Sequence, residues 1–232
     1  MIKEKTIGQI VTDDIRTANI FKKHGLDFCC GGGKTIESAC AENGVDLAEL
    51  LHDIDAVLGQ SEPVEDYQSM KLDALINYIY DNHHKYIYEH GSVTAEFINK
   101  VARVHGERHP ETIEIAKLYN ELLADLQQHM MKEEQILFPA VKRMLNESGN
   151  IGSFVNGPIS VMRMEHDNVG EILKKMNALS GGYKPPADGC NTYRAAYANL
   201  RDMENDIHLH IHLENNILFP KAIALEEQLL GS

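Results

Sequence analysis

The sequence lacks any long apolar segment and is short of positive charge. No apolar run approaches the roughly 20 residues that cross a bilayer, so we expect no membrane span. The first ten residues, MIKEKTIGQI, lack the apolar core of a signal peptide, and we therefore expect a cytoplasmic protein. The 22 basic residues against 35 acidic ones leave a formal net charge of -13. This charge disfavours nucleic acid and membrane surfaces as partners.

Cysteine is also scarce. Four cysteines in 232 residues do not make a disulfide framework, and in a reducing compartment they are thiols or metal ligands. The adjacent pair Cys29 and Cys30 cannot close an unstrained disulfide, and the three glycines that follow leave the thiols accessible. Such thiols can bind metal, exchange disulfides or react with NO. The alternative is two buried apolar cysteines at a helix turn. Cys40 and Cys190 have no motif around them.

Helical patterns fill most of the chain. Short ones, broken by glycine, occupy the first 58 residues, and the polar stretch GQSEPVED at 59–66 is typical of a linker. Beyond it, apolar residues recur every three or four positions in four long segments, with almost no strand-like alternation. The sequence therefore predicts an all-α protein. Its expected domains are a small helical one at residues 1–62 and an antiparallel four-helix bundle at residues 67–232.

Histidine is the residue in excess, with 12 copies, and it takes part in an internal repeat. HMMKEEQILFP begins at His129 and HIHLENNILFP begins at His210, so the histidine and the glutamate four residues later both recur after 81 positions. A further histidine precedes each copy: His84 lies 45 positions before His129, and His166 lies 44 before His210. Each half is therefore predicted to be a helix with one histidine, followed by a helix with His-x-x-x-Glu.

The spacing of this repeat points to a metal centre. Residues four apart lie on one helix face, roughly 5–6 Å from each other at Cβ. Two such hairpins about an approximate twofold axis would bring four imidazoles and two carboxylates together. Two bridging glutamates, two histidines on each metal and an oxo or hydroxo bridge leave one open position per metal, which suits two iron ions better than closed structural zinc. For one copy alone a helix salt bridge is the alternative, and the repetition disfavours it.

The choice of the first histidine is open from the residues alone. The apolar phase of the helix that begins near Leu72 runs slightly closer to His83 than to His84, and the spacing within the halves does not separate them. In the last helix, His208 and His212 also form an i, i+4 pair that could chelate metal. Alignment with the first copy favours His210, which leaves the other two as neighbours of the ligands or as solvent-facing groups.

Two acidic residues lie beside the predicted ligands. Asp125 is one turn before His129, and Glu165 is adjacent to His166. Each is a candidate for a carboxylate that orients a ligand from outside, or for part of an acidic exit path for iron. A solvated charge is the alternative for both.

The motifs resemble those of the repair-of-iron-centres proteins of the YtfE and ScdA type. GLDFCCGGGKTIESAC is similar to their ScdA-type N-terminal domain. HMMKEEQILFP, GPISVMRMEHD and HLENNILFP are similar to their hemerythrin-like di-iron domain, so the resemblance covers essentially the whole chain. It places the first histidine at His84, with His83 where a tyrosine is usual, and Asp125 where a glutamate is expected. The implied metal ligands are His84, His129, Glu133, His166, His210 and Glu214.

The resemblance also implies a function. It indicates a stress-response protein that repairs iron-sulfur clusters damaged by nitrosative or oxidative stress, by donating iron, with Cys29 and Cys30 assisting transfer, docking or redox. The implied partners are damaged iron-sulfur proteins, NO or O2 as small ligands, and a second copy in a homodimer. The alternatives are reduction of NO to nitrous oxide, which would make the protein an enzyme, and NO or O2 binding and sensing.

Overall fold

The computed structural model describes residues 2–61, 64–146 and 155–231. Within these ranges the chain is helical, and its extended pairing amounts to an isolated bridge between Thr6 and Thr35. The all-α prediction is therefore confirmed. Among the described helices, none combines the length and the apolar character that crossing a membrane requires. The chain forms two compact units, Met1–Leu75 with His208–Ser232, and Ile76–Ile207.

The first unit begins with four short α-helices. Polar side chains start three of them: Thr6 and Gln9 form a reciprocal capping box, the Thr35 hydroxyl accepts from the Ser38 N–H, and Asp46 accepts from the first turn of the fourth helix. Gly44 ends the third helix at φ 67°, a conformation that favours glycine. The bounds are α1 Ile7–Asp13, α2 Thr17–Lys23, α3 Ile36–Asn43 and α4 Leu47–Leu58, with 3-10 turns at Ile2–Glu4, Gly31–Gly33 and Tyr67–Ser69.

The longer helices follow in the chain. Their bounds are α5 Leu72–Ile79, α6 Lys85–His105, α7 Glu111–Lys132, α8 Phe138–Asn146, α9 Asn156–Leu179, α10 Asn191–Leu213 and α11 Phe219–Leu230. In the second unit α7 packs against both α6 and α9. Its contact face is apolar with helical spacing, since Ile115, Tyr119, Leu122 and Leu126 are all buried. The Tyr119 hydroxyl also donates to the Gly91 carbonyl of α6, at 3.1 Å.

Among the described residues, three π-helical segments interrupt the long helices: π1 Tyr80–His84, π2 Glu133–Leu137 and π3 Glu214–Leu218. In π2 the Phe138 N–H reaches the carbonyl of Glu133, five residues back, and Phe219 does the same with Glu214 in π3. Proline follows both phenylalanines. A proline ring has no N–H and collides with the carbonyl four residues earlier, and the wider turn relieves that collision. The Ile-Leu-Phe-Pro ending of the repeat thus places a π segment at each of its glutamates.

Two glycines, Gly8 and Gly32, are needed for close packing in the first unit. The side chain of Asn216, in π3, lies between Gly8 and Gly32. A Cβ on Gly8 would be 2.3 Å from Oδ1 of Asn216 and 3.0 Å from the carbonyl oxygen of Gly32. A Cβ on Gly32 would be 2.9 Å from the same Oδ1, whereas one on Gly33 would meet nothing within 4 Å.

We expect Gly8→Ala to lower the free energy of unfolding by about 1–3 kcal/mol, the usual cost of overpacking, because Asn216 is held by hydrogen bonds and the Gly32 carbonyl belongs to the backbone. Gly33→Ala is the matched control and should be nearly neutral. Thermal or urea unfolding of the two variants measures the difference. Equal unfolding midpoints would show that Asn216 and the Gly32 carbonyl can move to accommodate a Cβ at position 8.

Candidate metal centre

Four of the predicted ligands converge in the second unit. His84 ends π1, His129 lies in the last turn of α7, Glu133 begins π2, and His166 lies in α9. All four are buried, with at most 2% of the residue surface exposed. Nε2 of His84 and Nε2 of His129 each lie 3.4 Å from an oxygen of Glu133. Nε2 of His166 lies 3.0 Å from Nε2 of His129. Four helical segments, π1, α7, π2 and α9, thus each present one ligand residue to the same small volume.

The carboxylate of Glu133 tests whether a metal fits this volume. It is fully buried, and within the described ranges neither of its oxygens has a hydrogen-bond partner. Burying a carboxylate without such partners is costly unless a cation compensates. The candidate ligand atoms of His129, Glu133 and His166 all lie within 4.8 Å of one another. Imidazole and carboxylate together suit a divalent or trivalent transition metal, so the residues present fit one.

Each of two imidazoles is oriented by a second carboxylate. Nδ1 of His84 lies 2.8 Å from Oε1 of Glu134, which also accepts from the Tyr88 hydroxyl at 3.0 Å. Burial, together with the hydrogen bond to Glu134, raises the pKa of Tyr88 to about 12. A protonated Nδ1 that donates to a carboxylate leaves Nε2 with its lone pair towards Glu133, the arrangement that metal-binding histidines adopt.

The second imidazole, His129, has a charged outer partner. Its Nδ1 lies 2.8 Å from Oε2 of Glu165, and Lys132 forms an ion pair with the other oxygen of that carboxylate. Burial alone would raise the pKa of Glu165, but the hydrogen bonds from Lys132 and His129 hold it below its ordinary value. The structure thus places Glu165, adjacent to His166 in the sequence, in contact with His129.

A cavity of about 300 Å³ opens onto His129. Its polar lining includes Asp125, Lys132, Glu165 and Asn168. Asp125 is exposed, and one of its oxygens lies 3.5 Å from the amide nitrogen of Asn168. The structure therefore places Asp125 at the wall of this cavity.

The neighbouring residues His83 and His84 have different surroundings. His83 and His84 are both buried, but they face different partners: Nδ1 of His83 lies 2.8 Å from Asp206, whereas His84 faces Glu133. The segment π1 explains why the apolar phase of α5 runs closer to His83. A π turn adds a residue to the helical turn, so the phase of α5 is displaced by one position beyond Tyr80. A strict 3.6-residue period cannot anticipate that displacement.

The remaining two predicted ligands lie together in the first unit. His210 lies in the last turn of α10, one turn before Glu214, and Nε2 of the histidine lies 3.2 Å from Oε1 of the glutamate. Both are buried, with 1% and 0% exposed. Of the neighbouring histidines, His208 is half-buried and His212 is fully buried. Burial lowers the pKa of His212 to about 4, so this ring is neutral and does not face solvent.

The cysteine pair lies against π3 within the same unit. The carbonyl of Cys29 accepts from the side-chain amides of Asn215 at 3.4 Å and Asn216 at 3.3 Å. The amide of Asn216 also contacts Nδ1 of His212 at 3.1 Å and the carbonyl of Phe28 at 3.4 Å. The two residues that follow Glu214 therefore fix the backbone that carries the thiols.

The thiols themselves surround Asp27. Oδ1 of this residue accepts from the backbone N–H groups of Cys29 and Cys30, at 2.9 and 3.0 Å, and lies 3.2 Å from Sγ of Cys29. The two sulfurs are 3.8 Å apart. Cys29 is buried and Cys30 is half-buried. The hydrogen bond with Cys30, burial and the nearby charge of Asp27 raise the pKa of Cys29 well above its ordinary value.

Sequence reasoning missed several residues of this arrangement. Glu134 and Tyr88 support His84, Asn216 anchors the cysteine loop, and Asp27 holds the two thiols. One signal was available in the repeat. Glu134 and Gln135 in the first copy are replaced by two asparagines in the second. Glu134 contacts His84 and Tyr88, whereas Asn215 and Asn216 contact the backbone of Cys29.

Comparisons with known proteins agree with this description. The hemerythrin HHE cation-binding domain model matches residues 75–222, and the ScdA_N model, a domain of unknown function, matches residues 3–58. The iron-sulfur cluster repair protein YtfE of Yersinia pestis (strain Pestoides F) is 37% identical over 221 residues, which cover 95% of this chain and 97% of that protein. YtfE of Yersinia pseudotuberculosis serotype IB (strain PB1/+) is 36% identical over the same length and shares.

The predicted resemblance is thus confirmed, for both domains and over nearly the whole length. The histidine and glutamate clusters suit metal binding, in keeping with the cation-binding domain that spans them. The chain belongs to the YtfE family of iron-sulfur cluster repair proteins.

Proposed function

We propose that this protein repairs damaged iron-sulfur clusters by donating iron from a centre that holds two iron ions. The observation that carries the proposal is the carboxylate of Glu133, buried and without a hydrogen-bond partner in the described ranges, facing the ring nitrogens of His84 and His129. It occurs in a chain whose relatives are named iron-sulfur cluster repair proteins. Damaged iron-sulfur proteins are therefore the partners we propose.

We assign the iron ligands as His84, His129, Glu133, His166, His210 and Glu214. The first four converge in one unit, and the last two form a buried pair in the other. Two observations support a shared centre: a single cation-binding domain model spans all six, and the internal repeat gives each half the same ligand types. These residues would hold the iron through imidazole nitrogens and carboxylate oxygens, and the iron would supply a site for an oxygen-type ligand or NO.

The outer carboxylates give the two imidazoles different support. Glu134 is backed by the neutral hydroxyl of Tyr88, whereas Glu165 is backed by the ammonium of Lys132. The ammonium of Lys132 partly neutralises the negative charge of Glu165 beside His129. His129 also borders the cavity that Asp125 lines. We therefore assign this side as the exit for iron, with Asp125 and Glu165 as hard oxygen ligands along the way.

The thiol pair is assigned to the transfer step. Asp27, Cys29 and Cys30 offer candidate ligand atoms within 4.8 Å of one another, and Asn216 fixes their loop. The arrangement in two domains, at residues 1–62 and 67–232, and a homodimer are part of the same proposal.

The first prediction concerns iron content. Glu133→Ala and Glu214→Ala should each lower the iron bound per chain and remove the antiferromagnetically coupled pair from the Mössbauer spectrum, because each carboxylate is assigned to both metals. His52→Ala, at an exposed histidine in α4, is the control and should keep both. Equal iron loss from all three variants would refute the ligand assignment. A coupled pair that survives Glu214→Ala would refute the shared centre alone.

A second prediction separates a metal ligand from a structural ion pair at Glu133. In the metal-free protein, Glu133→Gln should raise the free energy of unfolding by about 1–3 kcal/mol, because the buried carboxylate lacks the partners that offset its desolvation. With iron supplied, the same variant should bind less iron and gain less stability from it. Unfolding midpoints with and without metal measure both effects. A destabilised metal-free variant would mean that Glu133 serves the imidazoles as a salt bridge.

A third prediction concerns repair. Protein loaded with isotopically enriched iron should deliver the label to an iron-sulfur protein whose cluster has been damaged by NO. Replacing Cys29 and Cys30 by alanine should leave the bound iron in place and slow the delivery, because the ligands of the bundle are untouched. Cys40→Ala, another buried thiol of the first unit, is the matched control.

Mass spectrometry of the repaired cluster and its recovered activity measure this transfer. Recovery without the label would contradict iron donation. Release of nitrous oxide at stoichiometric NO, without transfer of iron, would favour NO reduction instead.

A further inference from the structure

A thiol and an imidazole meet at the C-terminal end of α6. Sγ of Cys190 is 3.3 Å from Nε2 of His105, the last residue of α6. His84, at the start of α6, is 21 residues away, which corresponds to roughly 30 Å of helix. Both members of the pair belong to the second unit. This pair is therefore remote from the imidazole cluster that we assign to iron.

The imidazole of His105 is built into this position. It is buried, with 6% exposed, and the edge of its ring packs against Tyr193 at a centroid distance of 5.3 Å. Within the described part of the chain, its Nδ1 has no hydrogen-bond partner. The polar contact that holds the ring is the sulfur of Cys190. A histidine kept in an apolar setting with a thiol on its outer nitrogen can accept the thiol proton.

Cys190 is placed where a thiolate is favoured. It immediately precedes α10, and its carbonyl accepts the first helical hydrogen bond, from the Arg194 N–H at 3.0 Å. The free N–H groups in the first turn of a helix stabilise a negative charge at that end. The backbone N–H of Tyr193 has the largest effect on the pKa of Cys190 and lowers it; burial opposes this, Thr192 adds to it, and the result lies below the ordinary value.

Exposure separates Cys190 from the other cysteines. Cys190 is exposed, Cys30 is half-buried, and Cys29 and Cys40 are buried with raised pKa values. The neighbouring charges are largely paired among themselves: Asp188 contacts His109 at 3.1 Å and Arg108 at 3.2 Å. His109 also lies 3.3 Å from Glu111. An accessible thiol next to a proton acceptor is the setting of a reactive cysteine.

We propose that Cys190 and His105 form a reactive thiol site that exchanges with low-molecular-weight disulfides. The Cys190 proton moves to Nε2 of His105, and the thiolate attacks one sulfur of the disulfide. A bond forms between Sγ and that sulfur as the original disulfide bond breaks. The second half leaves as a thiolate and takes up the proton held by His105. The products are a mixed disulfide between Cys190 and one half of the small disulfide, and one free thiol from the other half. No further oxidant is needed.

The mixed disulfide at Cys190 is reversible. The fraction of the protein that carries it would therefore rise when the surrounding low-molecular-weight thiols are oxidised. Its chemistry is independent of the proposed iron centre, because neither Cys190 nor His105 is assigned to metal. Loss of the exchange would leave the repair proposal intact, and failure of iron donation would leave this site intact.

The test uses the full chain and glutathione disulfide as the probe, with peptide mapping by mass spectrometry to give the rate at each cysteine. Cys190 should be modified faster in the native protein than in the same chain unfolded in urea at the same pH. Cys190→Ser should abolish this adduct, and Cys40→Ser should not affect it. A native Cys190 that reacts no faster than the unfolded one would overturn the proposal, without need of a histidine variant.

The role of His105 has its own readout. His105→Gln should slow the reaction at Cys190 by about threefold to tenfold near neutral pH and move the midpoint of its rate against pH upwards, because the thiol loses its proton acceptor. His109→Gln, at a neighbouring histidine that contacts Asp188 instead, should change neither. An unchanged pH profile in His105→Gln, with its helical content and unfolding midpoint preserved, would refute the pairing.

Discussion

Much of the second unit is organised around the buried carboxylate of Glu133, whose removal from water is unfavourable. A negative charge removed from water needs a cation or a set of donors. Ring nitrogens of His84 and His129 lie 3.4 Å from the oxygens of Glu133, and within the described residues neither oxygen has a hydrogen-bond partner. Those nitrogens present lone pairs towards Glu133 when their other sides donate to Glu134 and Glu165. The arrangement places several metal-binding groups where a hydrocarbon core would otherwise form, at a cost that bound metal would offset.

The helix irregularities contribute to this geometry. Glu133 and Glu214 each begin a π segment, and His84 ends one. A π turn changes which face the following residues present, so the side chains after it need not follow the phase of the preceding α-helix. In π2 and π3, proline after phenylalanine provides the steric reason for the wide turn. The Ile-Leu-Phe-Pro ending of the repeat therefore favours a π turn in the backbone that begins at each glutamate.

The positions where the two repeat copies differ are as informative as those they share. After Glu133, Glu134 receives the hydrogen bonds of His84 and Tyr88. After Glu214, Asn215 and Asn216 instead donate to the backbone of the cysteine loop. An acceptor is needed in the first surroundings and donors are needed in the second, so the same turn carries different side chains. Gly8 and Gly32 are required because Asn216 lies between them.

The sequence by itself determined the helical class, the repeat, the family and the residue types that suit a metal, because period, spacing and motif are local properties of the chain. The helical pattern alone left His83 and His84 unresolved, since π1 displaces the helical phase by one position, and the choice of His84 came from the family resemblance. Nor did the sequence indicate the pairing of Cys190 with His105 or of Tyr88 with Glu134, residues 85 and 46 positions apart. Only tertiary structure decides such contacts, because the rotation and packing of whole helices determine which distant side chains meet.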